Sequence, residues 1–178
     1  MKFKFNTTPI VRYMLTNATS AYQMLSRHGF ADIMQSGITG EKSLHAAAFF
    51  DAGETLSDFS AGSVLNDPTY LTVQTGEQKH ITLEPEFLQY INHSCNPNVF
   101  FDTTLMKLVA LKEIQPGDEI LFFYPSTEWD MSQPFSCFCG SADCLQQIKG
   151  AAHLSEDEIT RYRFTDYILS ELLKRKRP

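Results

Sequence analysis

No apolar run in the 178 residues approaches the roughly 20 that a membrane-spanning helix needs. The N-terminal stretch MKFKFNTTPIVRYMLTNATS also lacks the continuous apolar centre of a secretory signal. Both absences lead to the expectation of an intracellular protein, cytoplasmic or, in a eukaryote, nuclear, with no membrane partner. Basic residues are not in excess either. Fifteen Lys and Arg stand against 21 Asp and Glu, a net charge of −6, so the basic footprint of a nucleic-acid binder is missing. An acidic surface instead suits a basic partner such as a lysine-rich segment. The one dense basic run, Lys174-Arg175-Lys176-Arg177, reads as a solvated helix end. Cysteine is scarce: four in the chain, which in a reducing compartment are read as thiols or metal ligands before disulfides. No internal repeat or low-complexity linker divides the sequence.

What is present is mostly short β-like runs separated by turns. Asn17–Phe30 has a loose helical pattern, with Tyr22 and Leu25 on one side and Gly29 as its stop. From Gly37 onward, runs at Ser43–Phe50 and Thr55–Phe59 are followed by a hairpin candidate, Tyr70–Thr75 turned at Gly76–Lys79 into His80–Leu83. Pro85–Gln89 reads as a helical turn. Val99–Asp102, Leu105–Lys112 and Glu119–Tyr124 complete a pattern that indicates a β-rich α+β fold rather than alternating βαβ units. Ser155–Lys176 reads as one C-terminal helix: Ser155 and Glu158 form a capping box, and Ile159, Tyr162, Ile168, Leu169, Leu172 and Leu173 give an apolar face. That face would pack on the domain or on a second copy of it, making a homodimer a possible assembly.

Two groups of residues carry chemistry. Asn92-His93-Ser94-Cys95-Asn96 is a polar island entered through Tyr90 and Ile91 and closed by Pro97, and buried amides and imidazoles need partners. Cys137, Cys139 and Cys144 stand as C-x-C-x4-C around Gly140, and Cys95 is the only other cysteine. Four thiolates fill a tetrahedral zinc site, and this set would clamp the C-terminal segment onto the polar island. Four unrelated buried cysteines are the plain alternative. A second alternative pairs Cys95 as nucleophile with His93 as base, which needs a free thiolate and leaves three clustered thiols one ligand short.

Three motifs in order carry a family resemblance: Asn92–Asn98 (NHSCNPN), Ala110–Tyr124 (ALKEIQPGDEILFFY) and Cys137–Cys144. They resemble the SET domain of protein lysine methyltransferases, with its cysteine-rich post-SET tail, over about residues 40–150. The resemblance implies a β-clip fold of several small sheets around a pseudoknot, formed where the segment ending in Tyr124 is drawn past Asn92–Cys95. It divides the chain into an N-terminal segment (1–36), a SET domain (37–130), a zinc-bound post-SET segment (131–150) and a C-terminal helix (151–178). It implies transfer of a methyl group from S-adenosylmethionine to a lysine amine of a protein, histone-like or other, with one structural zinc ion held by Cys95, Cys137, Cys139 and Cys144. Tyr124 matches the catalytic tyrosine, and Tyr70 resembles the second channel tyrosine. Asn92, His93, Leu44, His45 and Phe138 fall where the cofactor is bound. Phe122 occupies the aromatic switch position of the substrate channel, where phenylalanine leaves room for higher methylation states. A SET-like module of weak or no activity that binds a peptide is the other reading of the same motifs.

The chain also departs from the pattern. Ser43 stands where the second glycine of a Gly-x-Gly would lie, Phe123 replaces an acidic residue before Tyr124, and Gln146 replaces a glycine after Cys144-Leu145. No long insert separates Phe59 from Tyr70.

Overall fold

The computed structural model describes residues 22–175. Strands β1 (Tyr22–His28) and β2 (Ala31–Ser36) form an antiparallel hairpin, and β3 (Lys42–Ala46) pairs with β2 to complete a three-stranded sheet. This corrects the helix expected over Asn17–Phe30, of which Asn17–Ala21 lies outside the described residues. Gly29 is not a helix stop but the left-handed residue of a tight turn, with φ +65°, and it lets His28 pair with Ala31. Pairing with a neighbouring strand overrides a weak local period, because Ala31 and Ile33 of β2 gain burial on the core side.

The hairpin expected upstream of the polar island is present as β6 (Val73–Gly76) and β7 (Lys79–Glu84), with β5 (Ser60–Leu65) on the other edge of β7. Strand β5 carries no burial signal, since each of its residues is exposed, and so it has no alternation to read. A 3-10 turn at Glu86–Tyr90 follows β7 as expected and buries Leu88.

The central sheet explains how distant segments meet. Its order is β4 (Thr55–Asp58), β10 (Lys107–Ala110), β9 (Val99–Asp102), β11 (Leu121–Phe122) and β8 (Asn92–His93). Strand β11 runs parallel to both β8 and β9, with Leu121 beside Asn92 and Phe122 beside His93 and Val99. The chain between β8 and β9 closes over it: the Ser94 N–H donates to the Phe122 carbonyl and the Asn98 N–H to the Leu121 carbonyl, each at 3.0 Å. A strand 29 residues downstream of β8 is thus inserted between two neighbours in sequence, which is the expected pseudoknot. Leu44, Ile81, Leu88, Ile91, Phe101 and Ile120 form the buried core beneath it.

The single C-terminal helix is corrected to two. The capping box at Ser155 and Glu158 is present, but α1 ends after Glu156–Ile159, and α2 runs Asp166–Arg175. Tertiary contacts break the helix between them. Tyr162 stacks on Phe123 at a ring separation of 3.7 Å, Arg163 pairs with Asp102, Phe164 is buried, and the Thr165 N–H donates to the Ser126 carbonyl. A continuous helix would forfeit these contacts. Among the described residues no helix is long and apolar enough to cross a membrane.

Candidate functional site

The polar island is held by its own side chains. The Asn92 amide donates to the Lys42 carbonyl and to Glu119 Oε1, tying β8 to β3 and to the approach of β11. Asn98 receives the Leu121 N–H and donates to the Glu119 carbonyl. His93 accepts the Tyr124 N–H on Nδ1 at 3.3 Å, and its Nε2 lies 3.4 Å from Cys95 Sγ. Burial lowers the His93 pKa to about 4, so the ring is neutral. With Nδ1 accepting, its one proton sits on Nε2 and points at the sulfur. That tautomer cannot take a proton from the Cys95 thiol, which burial pushes up. A Cys95–His93 nucleophilic pair has no support here.

Cys95 instead faces the other cysteines. The sulfurs of Cys95, Cys137, Cys139 and Cys144 all lie within 4.8 Å of one another, and Cys95 and Cys137 are 4.0 Å apart. Tetrahedral zinc–thiolate bonds of about 2.3 Å put sulfurs roughly 3.8 Å apart, so the four thiols fit one zinc ion with small adjustments. Burial raises Cys137 to about 11; at Cys139 burial also opposes the thiolate, but main-chain donors and neighbouring thiols outweigh it and bring the group to about 6. Strands β12 (Phe135–Ser136) and β13 (Gln147–Ile148) close the cysteine segment, and the Cys137 N–H donates to the Gln146 carbonyl. Gln146 has φ +62°, so the backbone keeps the left-handed conformation of the glycine it replaces.

The other departures also have a physical reading. Ser43 is buried in β3 and its hydroxyl lies 2.9 Å from His45 Nε2. Phe123, in place of an acid, is 2% exposed and forms the stacking platform for Tyr162, whose hydroxyl donates to the Cys95 carbonyl at 3.0 Å. The substitution thereby docks the C-terminal segment against the back of the polar island.

Tyr124 lies one residue beyond β11, after Phe123, and opens onto a cavity of about 340 Å³. Phe122, Ile91, Leu88 and Val73 make much of its apolar wall, and Tyr70 stands at its edge, 76% exposed. The Tyr124 ring lies 4.6 Å from that of Phe122 and 6.0 Å from that of Phe135. Burial, then the Glu119 carboxylate, push the Tyr124 phenol up to about 12, so it is neutral. Among the described residues its hydroxyl makes one hydrogen bond, a long 3.4 Å donation to the Ile91 carbonyl. The phenolic oxygen therefore keeps acceptor capacity.

Of the residues expected to form the site, Tyr124, Phe122 and Tyr70 share this cavity; His93 holds the Tyr124 main chain and Tyr124 packs against the cysteine cluster, while Asn92 ties β8 to β3. The structure does not bring Leu44, His45 or Phe138 to the same cavity. Leu44 is wholly buried and its carbonyl accepts the Ile120 N–H. His45 leans on the Gly117 carbonyl and the Tyr22 ring, while Phe138 is 91% exposed. One residue of the cavity escapes sequence reasoning altogether. Glu128 is 8% exposed, accepts the Gln74 N–H on Oε1 at 2.8 Å and the Thr127 hydroxyl at 3.4 Å, and lines the cavity with Tyr124. No motif or periodicity marks it in the sequence.

The family profile described as the SET domain matches residues 14–125. The chain is 40% identical over 119 residues to the methyltransferase flvH of Aspergillus flavus, covering 66% of each protein. It is 26% identical over 112 residues to a histone-lysine N-methyltransferase, H3 lysine-36 specific, of Gibberella zeae, covering 50% of this chain and 12% of that protein. The chain thus spans less than two thirds of the length of these relatives. The methyltransferase domain of human histone-lysine N-methyltransferase SETMAR aligns with a TM-score of 0.47 at 18% identity, covering 72% of this chain and 58% of that one.

Proposed function

The chain belongs to the SET-domain family, and from that premise we propose that it is an S-adenosylmethionine-dependent protein lysine N-methyltransferase stiffened by one zinc ion. The observation that carries the reading is Tyr124: a neutral phenol with spare acceptor capacity, just past the strand drawn through the pseudoknot, on a cavity with an apolar wall. When bound, the cofactor supplies an electrophilic methyl group on a sulfonium. The protein has to align an amine with that carbon and keep water away. Tyr124 Oη accepts weak C–H hydrogen bonds from a polarised methyl group and orients the amine. Phe122, Ile91 and Leu88 form an apolar wall that favours the neutral amine over the ammonium. Asn92 and His93 fix β8 to β3 and to the Tyr124 main chain, so they set where the phenol stands.

Lysine as the substrate residue and a histone-like or other protein as its carrier follow the histone-lysine methyltransferases among the relatives. Cys95, Cys137, Cys139 and Cys144 would hold zinc, whose part is structural: it fixes the post-SET segment beside Tyr124. Incubation with S-adenosylmethionine and a mixed lysine-bearing protein pool should yield S-adenosylhomocysteine in a substrate-dependent manner. Absence of turnover, together with absence of cofactor binding by calorimetry, would leave the peptide-binding module as the function.

A further inference from the structure

The cavity at Tyr124 sets apolar walls beside neutral polar groups such as Thr72, Gln89 and Gln133, and among the described residues that line it only Glu128 carries a carboxyl or a basic group. The carboxyl is positioned rather than loose. Its Oε1 accepts the Gln74 main-chain N–H, and Gln74 is itself locked, receiving the Trp129 N–H on its side-chain oxygen and donating to the Gly76 carbonyl. The Ala151 N–H donates to the Glu128 carbonyl, and the Glu128 N–H to the Tyr124 carbonyl. Among the described residues no donor is recorded for Oε2, and no Lys, Arg or His pairs with the carboxyl. Among the described residues, the other titratable groups lining the cavity are Tyr70 and Tyr124, and Tyr167 contacts Gln74 and feels the Glu128 carboxyl. All three are phenols and none supplies a positive charge. A buried carboxylate with an open oxygen and no counter-ion is costly, and a cation entering the cavity relieves that cost.

We propose that Glu128 is the counter-ion and proton acceptor for an alkylammonium group entering the Tyr124 cavity. This deepens the methyltransferase reading and rests on it for the identity of the substrate amine. Once Glu128 has ionised, the balance is simple: Glu–COO⁻ and R–NH₃⁺ become Glu–COOH and R–NH₂, the nitrogen lone pair is freed for methylation, and the proton leaves Glu128 for solvent when the cavity empties. Burial raises the Glu128 pKa to about 8, which brings it closer to that of an amine and makes it a far better proton acceptor than an ordinary carboxylate. The neutral acid–amine pair also replaces two buried charges.

Glu128→Gln is the test, because its amide oxygen can still accept the Gln74 N–H. The probes are n-pentylammonium, which mimics a lysine side chain, and neutral n-pentanol, both titrated by NMR at pH 9, where Glu128 is ionised and the amine is still charged, followed by pH–rate profiles for methyl transfer. Glu128→Gln is expected to weaken n-pentylammonium at least tenfold, leave n-pentanol unchanged, and abolish a rising limb of kcat/KM near pH 8. Unchanged n-pentylammonium affinity and an unchanged limb, in a protein whose wild type transfers methyl groups, would overturn the role of Glu128 and leave the methyltransferase reading standing. Glu128-dependent n-pentylammonium binding in a wild type that transfers no methyl group at any pH would support the cation site and overturn the methyltransferase reading.

Discussion

Tyr124 and Phe122 are two residues apart, yet they carry separable predictions. Tyr124→Phe removes only the oxygen that faces the cavity, so cofactor turnover should fall by roughly 10²-fold or more while the fold is kept. Phe122→Tyr adds a hydroxyl beside the Tyr124 ring, 4.6 Å away, and takes up room around the amine. It should shift product toward monomethyl-lysine, read by mass spectrometry; monomethylated product alone with Phe122 intact would remove the basis for the idea. Glu128 gives a third prediction, in stability. Its ordinary pKa of 4.5 rises to about 8 on folding because burial disfavours the charged form. Between those values the folded protein holds a proton that the unfolded chain has released, so stability falls as pH rises from about 4.5 through 8, by on the order of a few kcal/mol. Thermal unfolding should show Glu128→Gln gaining on wild type as pH goes from 6 to 9. A constant difference would mean that Glu128 ionises freely.

At the scale of elements, the polar island and the strand before Tyr124 were legible because a run such as NHSCNPN is rare and its partners are close in the sheet. The β6–β7 hairpin was legible from its turn at Gly76–Lys79. Strand β1 was not: Gly29 suits a helix end and a hairpin turn equally, and only its pairing with β2 decides between them. The C-terminal break was hidden for the same reason. Tyr162 fits a helical apolar face, but its stacking on Phe123 and its bond to the Cys95 carbonyl lie outside any local pattern. Glu128 was invisible because its burial depends on Gln74, fifty-four residues upstream. Gly150 gives a test of how the C-terminal elements are joined. It sits at φ +116°, and a Cβ there would lie 2.5 Å from the Trp129 carbonyl oxygen. Gly150→Ala should therefore destabilise the protein by roughly 1–3 kcal/mol and loosen the segment carrying Glu128. An unchanged unfolding midpoint would show that this contact can relax freely.

For the whole molecule, Cys95 is the point where several parts converge. It neighbours His93, whose ring holds the Tyr124 main chain; its carbonyl accepts from Tyr162; and its sulfur meets those of the post-SET cysteines. Metal analysis should find about one zinc per chain. Chelation should lower the unfolding temperature and turnover together, whereas loss of zinc without loss of activity would separate the tail from the site.

The central claim, that Tyr124 serves methyl transfer to lysine, is tested most directly with a cofactor carrying a deuterated methyl group. Wild type and Tyr124→Phe are each incubated with a lysine-bearing protein pool, and the label is located by tandem mass spectrometry. The account predicts deuterated methyl groups on lysine Nζ with wild type and almost none with Tyr124→Phe. Label confined to other residue types, or equal labelling by the two proteins, would contradict it.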